Sequence, residues 1–185
     1  MSHPDFDTHL SRLFAAARAQ PPTTGPLVLL HIGDEQSGVA VGQSAEPAAR
    51  LTLAIGAEST AREHFRHSPP SPLELENAIM TVEDEVTRAL PLVTTGATLV
   101  TCDASIREIA LLSGVTAGER MQLSLDAMER CFDRLAQRSL GRPISSDNLP
   151  TSTSFAASLL ILREFMHHLR FETITVLQTD TQATQ

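Results

Sequence analysis

Leu27-Val-Leu-Leu-His-Ile-Gly-Asp-Glu-Gln-Ser-Gly-Val-Ala-Val-Gly42 is the stretch whose reading decides the fold. Residues 27–32 form an apolar run of strand length. Its first four residues show no polar alternation, the pattern of a strand buried on both faces. A polar turn follows at 33–37, then a second strand over 38–42. Gly33, Asp34, Ser37 and Gly38 are hairpin-turn residues: glycine accepts positive φ, and Asp or Ser hydrogen-bonds the nearby backbone. A hairpin of this shape can wrap its N–H groups around a phosphate, but that needs glycines that let the backbone approach the ligand. Here the tip holds one glycine with Asp34 and Glu35, whose carboxylates repel a phosphate. The shape of a phosphate loop is expected with its chemistry impaired.

Outward from the hairpin, residues 5–20 read as a helix with Leu10, Leu13, Phe14 and Ala17 on one stripe and Asp5 or Asp7 as its cap. Pro21 to Pro26 forms a connector. Residues 50–55 alternate as a third strand, so the first three strands make an antiparallel meander. Residues 56–66 read as irregular or partly helical. His64 and His67 lie three apart without a third metal ligand nearby and read as solvated. Ser71-Pro72-Leu-Glu74 opens a helix to about residue 90. Leu75, Ile79, Val82 and Val86 form its buried face, and its carboxylates are mostly solvated. Residues 97–102 form a strand that feeds a helix over 105–112, with Asp103 as its cap. As a cap, Asp103 fills an anion position with the protein's own carboxylate. Helices follow over 124–139 and 152–169, and a final strand over 171–177.

The chain has 185 residues, 42% hydrophobic and 19% charged, with a formal net charge of −8, in keeping with a globular domain. The acidic balance argues against nucleic-acid binding, which runs on basic surface. All basic residues are arginine, which excludes a lysine-dependent phosphate loop, a Schiff base and a catalytic lysine. Tyrosine and tryptophan are also absent. Cys102 and Cys131 are too few for a disulfide framework and read as buried structural thiols. The apolar runs are far short of a membrane span, and the N-terminus reads as no signal peptide. The expected compartment is the cytoplasm of a bacterial cell.

The element order suits an α/β fold: a mixed sheet with a meander at one edge, crossover-connected strands beyond it and helices on both faces. This is the ribonuclease H-like, or actin-like, arrangement. The expected organisation is an N-terminal helix and connector over 1–26, one subdomain over 27–178 and a disordered tail over 179–185.

Over roughly residues 10–178 the chain resembles the second actin-like subdomain of the Ppx/GppA family, the exopolyphosphatases and guanosine pentaphosphate phosphohydrolases. In that family a helix with a Glu-Glu-Ala-Arg-Leu type motif precedes a strand ending Asp-Ile-Gly-Gly-Gly-Ser. The parallel here is Ser11-Arg-Leu-Phe14, then Leu29-Leu-His-Ile-Gly-Asp-Glu-Gln-Ser37. Ile55-Gly-Ala-Glu-Ser-Thr-Ala-Arg-Glu-His-Phe65 is similar to a family segment that follows. Thr101-Cys-Asp-Ala-Ser105 stands where the family has a second glycine-rich turn. The departures are specific. The family's strand-end Asp, which helps organise metal and phosphate, is His31. Glycines of its first loop fall at Asp34 and Glu35 or Gln36, and of its second at Thr101, Asp103 and Ala104, with Ser105 standing for its Thr. Its catalytic Glu would fall near Thr8–Leu10. Its first subdomain would lie upstream of Met1.

The resemblance therefore implies a phosphate-loop remnant of His31, Gly33, Asp34, Glu35, Ser37, Asp103 and Ser105, with no catalytic residue carried over. Asp34 and Asp103 are the candidate metal ligands, for Mg²⁺. The leading expectation is a degenerate, noncatalytic binding or regulatory module whose open face meets a protein partner or a second copy. A phosphate compound is a candidate ligand. The alternatives are a Mg²⁺-dependent phosphohydrolase completed by a partner or dimer mate, with Asp34, Glu35 or Asp103 on the metal, and a purely structural subunit.

Overall fold

The computed structural model describes residues 3–20 and 24–178, with backbone alone at His3 and Pro4. The expectations for connector residues 21–23 and for the tail lie outside these residues. The opening hairpin forms as its sequence dictates. β1 (Leu27–Ile32) pairs antiparallel with β2 (Ser37–Gly42), which pairs antiparallel with β3 (Ala49–Leu53). Leu27 to Leu30 are buried, as an unalternating apolar run requires. β2 reads differently on its two faces. Val39 and Val41 point one way, and Gly38, Ala40 and Gly42 point the other.

That small-residue face seats α1 (His3–Ala19), which packs on β1 and β2. A methyl group at Gly38 would stand 2.9 Å from Leu10 Cδ1 and 3.0 Å from Phe6 Cε1. Leu10, Phe14 and Ala17 are fully buried there against Leu27, Leu29, Ala40, Val100 and Leu177. The stripe expected on this helix is the one that packs. The expected cap is not: Asp5 and Asp7 both lie inside α1.

The crossovers occupy the opposite face. α2 (Ala57–His64) and α3 (Pro72–Thr87) lead to β4 (Thr98–Thr101), parallel to β1. α4 (Ala104–Leu112) then leads to β5 (Arg120–Ser124), which α5 (Leu125–Ser139) follows directly. α6 (Thr153–His168) delivers β6 (Thr173–Leu177) parallel to β4 and antiparallel to β5. The sheet order is β3-β2-β1-β4-β6-β5. With α1 on one face and α2 to α6 on the other, the mixed α/β architecture with helices on both faces is as expected. α6 is the hub of the second face, touching α2, α3, α4 and α5. Phe155, Leu159, Leu162 and Met166 are buried as expected, and so are Leu160, Ile161 and Phe165.

Several local expectations need correction. β5 was not expected. Its five residues, Arg-Met-Gln-Leu-Ser, bury Met121 and Leu123 alternately, but they run straight into Ser124, which caps α5. A strand this short at a sheet edge is specified by its partner β6 more than by its own pattern. Residues 57–64, read as irregular or partly helical, form the regular helix α2. α3 ends at Thr87, and a short 3₁₀ turn, Leu90–Leu92, follows. Glu74 is no solvated carboxylate. It closes a capping box with Ser71 and also accepts the Arg66 N–H at 2.7 Å. His64 is mostly buried, its Nε2 without a hydrogen bond and 4.0 Å from Glu63 Oε1, whereas His67 is largely exposed as expected and lies 3.0 Å from Glu74.

Candidate functional site

β1 and β4 run parallel, so their C-terminal ends open at the same edge of the sheet. β1 turns into the hairpin and β4 into α4. A crevice at strand C-termini where the chain diverges is the usual ligand position in open α/β sheets. Here a cleft of about 510 Å³ is lined by Phe6, His9, His31, Ile32 and the turn Gly33 to Gln36.

Its inner wall is a histidine–carboxylate pair. Asp103 stands at the N-cap position of α4 but makes no side-chain cap, contrary to the sequence expectation. Its carboxylate turns back across the sheet instead. Oδ2 accepts the Ile32 N–H at 2.7 Å, and Oδ1 lies 2.6 Å from His31 Nδ1. The Asp103 N–H is satisfied by Thr101 Oγ1 at 3.1 Å. An ionised Asp103 places a proton on Nδ1, so Nε2 is the ring nitrogen left to the cleft. Burial of the ring disfavours its charge. The hydrogen bond and charge of Asp103, with Asp34 beyond, outweigh that and raise the His31 pKa above its ordinary value. His9 sets its ring edge-on to His31, with centroids 5.1 Å apart, and Phe6 tilts against it at 5.9 Å. Burial lowers the His9 pKa, and the facing His31 and Arg12 lower it further.

The hairpin tip is clamped to the next helix through its backbone carbonyls. Its carbonyls are turned onto the N-terminus of α2. Ala57 N–H donates to Gly33 O at 2.9 Å, and Glu58 and Ser59 N–H donate to Asp34 O at 2.9 and 3.0 Å. The Gly33 N–H donates to Gln36 O at 3.1 Å. Gly56 makes this contact possible: a Cβ there would stand 2.6 Å from both Gln36 N and Glu35 C. The positive end of α2, a ready anion site, is thus occupied by the protein's own carbonyls.

The expected site residues divide accordingly. His31, Gly33, Asp34 and Glu35 line the cleft, and Asp103 backs it. Glu35 is drawn to the rim by a two-pronged pair with Arg62 at 2.8 and 3.1 Å, which lowers its pKa. Ser37 is not part of any loop. It is fully buried in β2 and donates to Ile55 O at 2.7 Å. Ser105 sits in the first turn of α4 and does not line the cleft. Of the two thiols expected to be buried, Cys131 is and Cys102 is only partly so; the Cys102 pKa is pushed up to about 12 by burial first and by Asp103 second. Phe6 and His9 went unassigned in the sequence. The resemblance pointed at Thr8–Leu10, and α1 does bring that turn to the site.

Of the carboxylates expected to hold Mg²⁺, Asp34 lines the cleft, Glu35 lines it while paired with Arg62, and both oxygens of Asp103 already accept hydrogen bonds. Among the described residues no three His, Cys, Asp or Glu side chains group to hold a metal. No helix among them is long and apolar enough to cross a membrane.

No family model matches the chain, and no curated protein matches it in sequence. Solved structures do match its fold. A Ppx/GppA family member from Aquifex aeolicus superposes over 92% of this chain with a TM-score of 0.73 at 14% identity. The type II variant of the Aquifex aeolicus Ppx/GppA phosphatase covers 90% with a TM-score of 0.71 at 14% identity. An exopolyphosphatase from Cytophaga hutchinsonii covers 90% with a TM-score of 0.71 at 13% identity. The chain spans 58%, 57% and 57% of these three proteins, respectively. The fold expected from the sequence, the actin-like subdomain of Ppx/GppA proteins, is the fold of this chain.

Proposed function

We propose that this chain is a noncatalytic Ppx/GppA-like domain that works as a binding or regulatory module. The observation that carries the reading is the charge of the hairpin tip. Asp34 and Glu35 bring two carboxylates to the cleft at the turn where a phosphate cradle would offer only backbone, and the Gly33 and Asp34 carbonyls fix that turn against α2. The Asp103 carboxylate likewise takes the Ile32 N–H. Each negative group at a partly buried site costs rather than gains phosphate affinity. The cleft itself persists, with His31 and His9 on its wall. A second copy of the chain or a protein partner is its proposed cover.

The test is a panel of polyphosphate, guanosine polyphosphates, ATP and inorganic phosphate, each with and without Mg²⁺, read by melting temperature and by phosphate release. A bound ligand at about 100 times its dissociation constant stabilises the fold by roughly 2.7 kcal/mol, which a melting scan resolves. The expected result is no Mg²⁺-dependent release. Metal-dependent turnover that is lost on changing Asp34 or His31 overturns the reading in favour of a phosphohydrolase. Light scattering of the same sample decides whether a second copy provides the cover.

A further inference from the structure

At the end of the sheet opposite the His31 cleft, β4 and β6 come apart. Their parallel register runs only over Val100–Thr175 and Thr101–Val176. Toward their N-terminal ends a second cleft opens, of about 680 Å³, lined by Leu90, residues 93–99 and residues 169–173. That volume lies in the range of small-molecule sites. One wall is a turn: the Ala97 N–H donates to Thr94 O at 3.2 Å, with Gly96 at a φ of 77°. The other wall begins at the end of α6. The Arg170 N–H donates to His167 O and the Phe171 N–H to Met166 O, the paired bonds that close a helix on a left-handed residue. That residue is usually glycine. Here it is Arg170 at a φ of 59°, the one non-glycine residue with positive φ among the described residues. A long charged side chain held where the backbone favours none marks a functional candidate.

Arg170 and Glu172 are the two charged residues of this cleft, and both are exposed. Among the described residues neither forms an ion pair, with the other or with a third group. A guanidinium keeps its charge at every ordinary pH, so the positive end of the cleft does not depend on titration. Leu90, which is 47% exposed, and Val93 add apolar surface. From this we infer that the cleft binds a small zwitterion with an apolar body, an apolar α-amino acid, with its carboxylate on Arg170 and its ammonium on Glu172. The planar guanidinium takes a carboxylate through two parallel hydrogen bonds. The Glu172 carboxylate accepts from the ammonium and repels a second anion. Thr98 and Thr173, at the starts of the two strands, offer hydroxyls to either end of the ligand. A plain anion meets Glu172 and a plain cation meets Arg170, whereas a ligand of both signs satisfies both. The site is separate from the His31 cleft and does not depend on the binding-module reading.

The test titrates isotope-labelled full-length protein with L-leucine as probe and follows the backbone amide NMR signals. Those of Gly96 and of residues 170–173 should shift saturably. Arg170→Gly places the favoured residue at the end of α6, so the melting temperature should hold or rise. The same change should weaken the leucine dissociation constant at least about tenfold, the scale of a lost hydrogen-bonded charge. Glu172→Gln should weaken leucine comparably and leave 4-methylpentanoate, the same body without its ammonium, unaffected or tighter. In the native protein 4-methylpentanoate and isopentylamine should each bind at least about tenfold more weakly than leucine. No saturable shift at these amides, equal leucine binding by Arg170→Gly, or equal affinity for leucine and 4-methylpentanoate each overturns the inference. Leucine shifts confined to the His31 cleft overturn it as well.

Discussion

His31 Nδ1 and Asp103 Oδ1 lie 2.6 Å apart across the ends of two parallel strands, 72 positions apart in sequence. The second oxygen of the same carboxylate holds the last backbone N–H of β1. Asp103 therefore ties β4 to β1 and fixes the imidazole ring at once. As a helix cap it would have done neither.

Replacing Asp103 with Asn should cost about 3 kcal/mol below neutral pH, where the protonated ring loses its counter-charge. The folded His31 pKa is raised, so the pair's contribution is fully present below the unfolded imidazole value. It fades as pH rises through the folded value. Urea denaturation of native and Asp103→Asn protein across this range should show curves that converge as pH rises. A gap that stays constant into alkaline solution contradicts an ionic role for the pair.

Gly56 accepts an ordinary φ of −146°, so alanine meets no backbone penalty there. The obstacle is space: its Cβ would stand 2.6 Å from Gln36 N. Gly56→Ala should destabilise the fold by about 3 kcal/mol, at the upper end for overpacking because the obstacle is backbone. Chemical denaturation measures this directly, and a loss under about 0.5 kcal/mol, the scale of an ordinary surface change, would show that the turn is not clamped against α2.

Glu74 reports on the start of α3. Burial raises its pKa, but N–H donors from Ser71 and Arg66, with His67 and the Ser71 hydroxyl, bring it down to about 2. A depressed carboxylate contributes stability that is present above the unfolded value and lost as pH falls toward the folded one. Glu74→Gln should therefore cost about 1 kcal/mol at neutral pH, the scale of a lost cap, and almost nothing near pH 2. Melting curves of the two proteins at both ends of that range check the sign.

The Cys102 thiol, with its pKa near 12, should resist alkylation in the native protein at neutral pH. Iodoacetamide labelling read by mass spectrometry should reach it only at denaturant concentrations that unfold the chain. Native-state labelling at the rate of a free thiol would mean that the strand end opens.

Much of the fold was legible because the patterns that specify it are local. The unbroken apolar run 27–30, the stripe Leu10-Phe14-Ala17 and the Ser71-Pro72-Glu74 start each state their own secondary structure. β5 was not legible, since Arg-Met-Gln-Leu-Ser is five residues long and abuts a helix cap. Its pairing with β6 is a tertiary event. Ser37 shows the same limit from the other side: a serine beside a glycine reads as turn, and only the burial of β2 against Ile55 makes it a core hydroxyl.

By itself the sequence determined the strand order of the meander, the apolar stripe of the first helix, the poverty of glycine at both turns and the acidity of the hairpin tip. Those follow from periodicity and side-chain chemistry, which every residue carries with it. The tertiary structure alone decided where Asp103 points, that the hairpin carbonyls meet α2, and that His9 and Phe6 stand beside His31. A carboxylate at a helix start has two sets of donors within reach: the helix's own N–H groups and those of a neighbouring strand. Which set it takes depends on the distance between β1 and β4, and that distance exists only after the chain has folded.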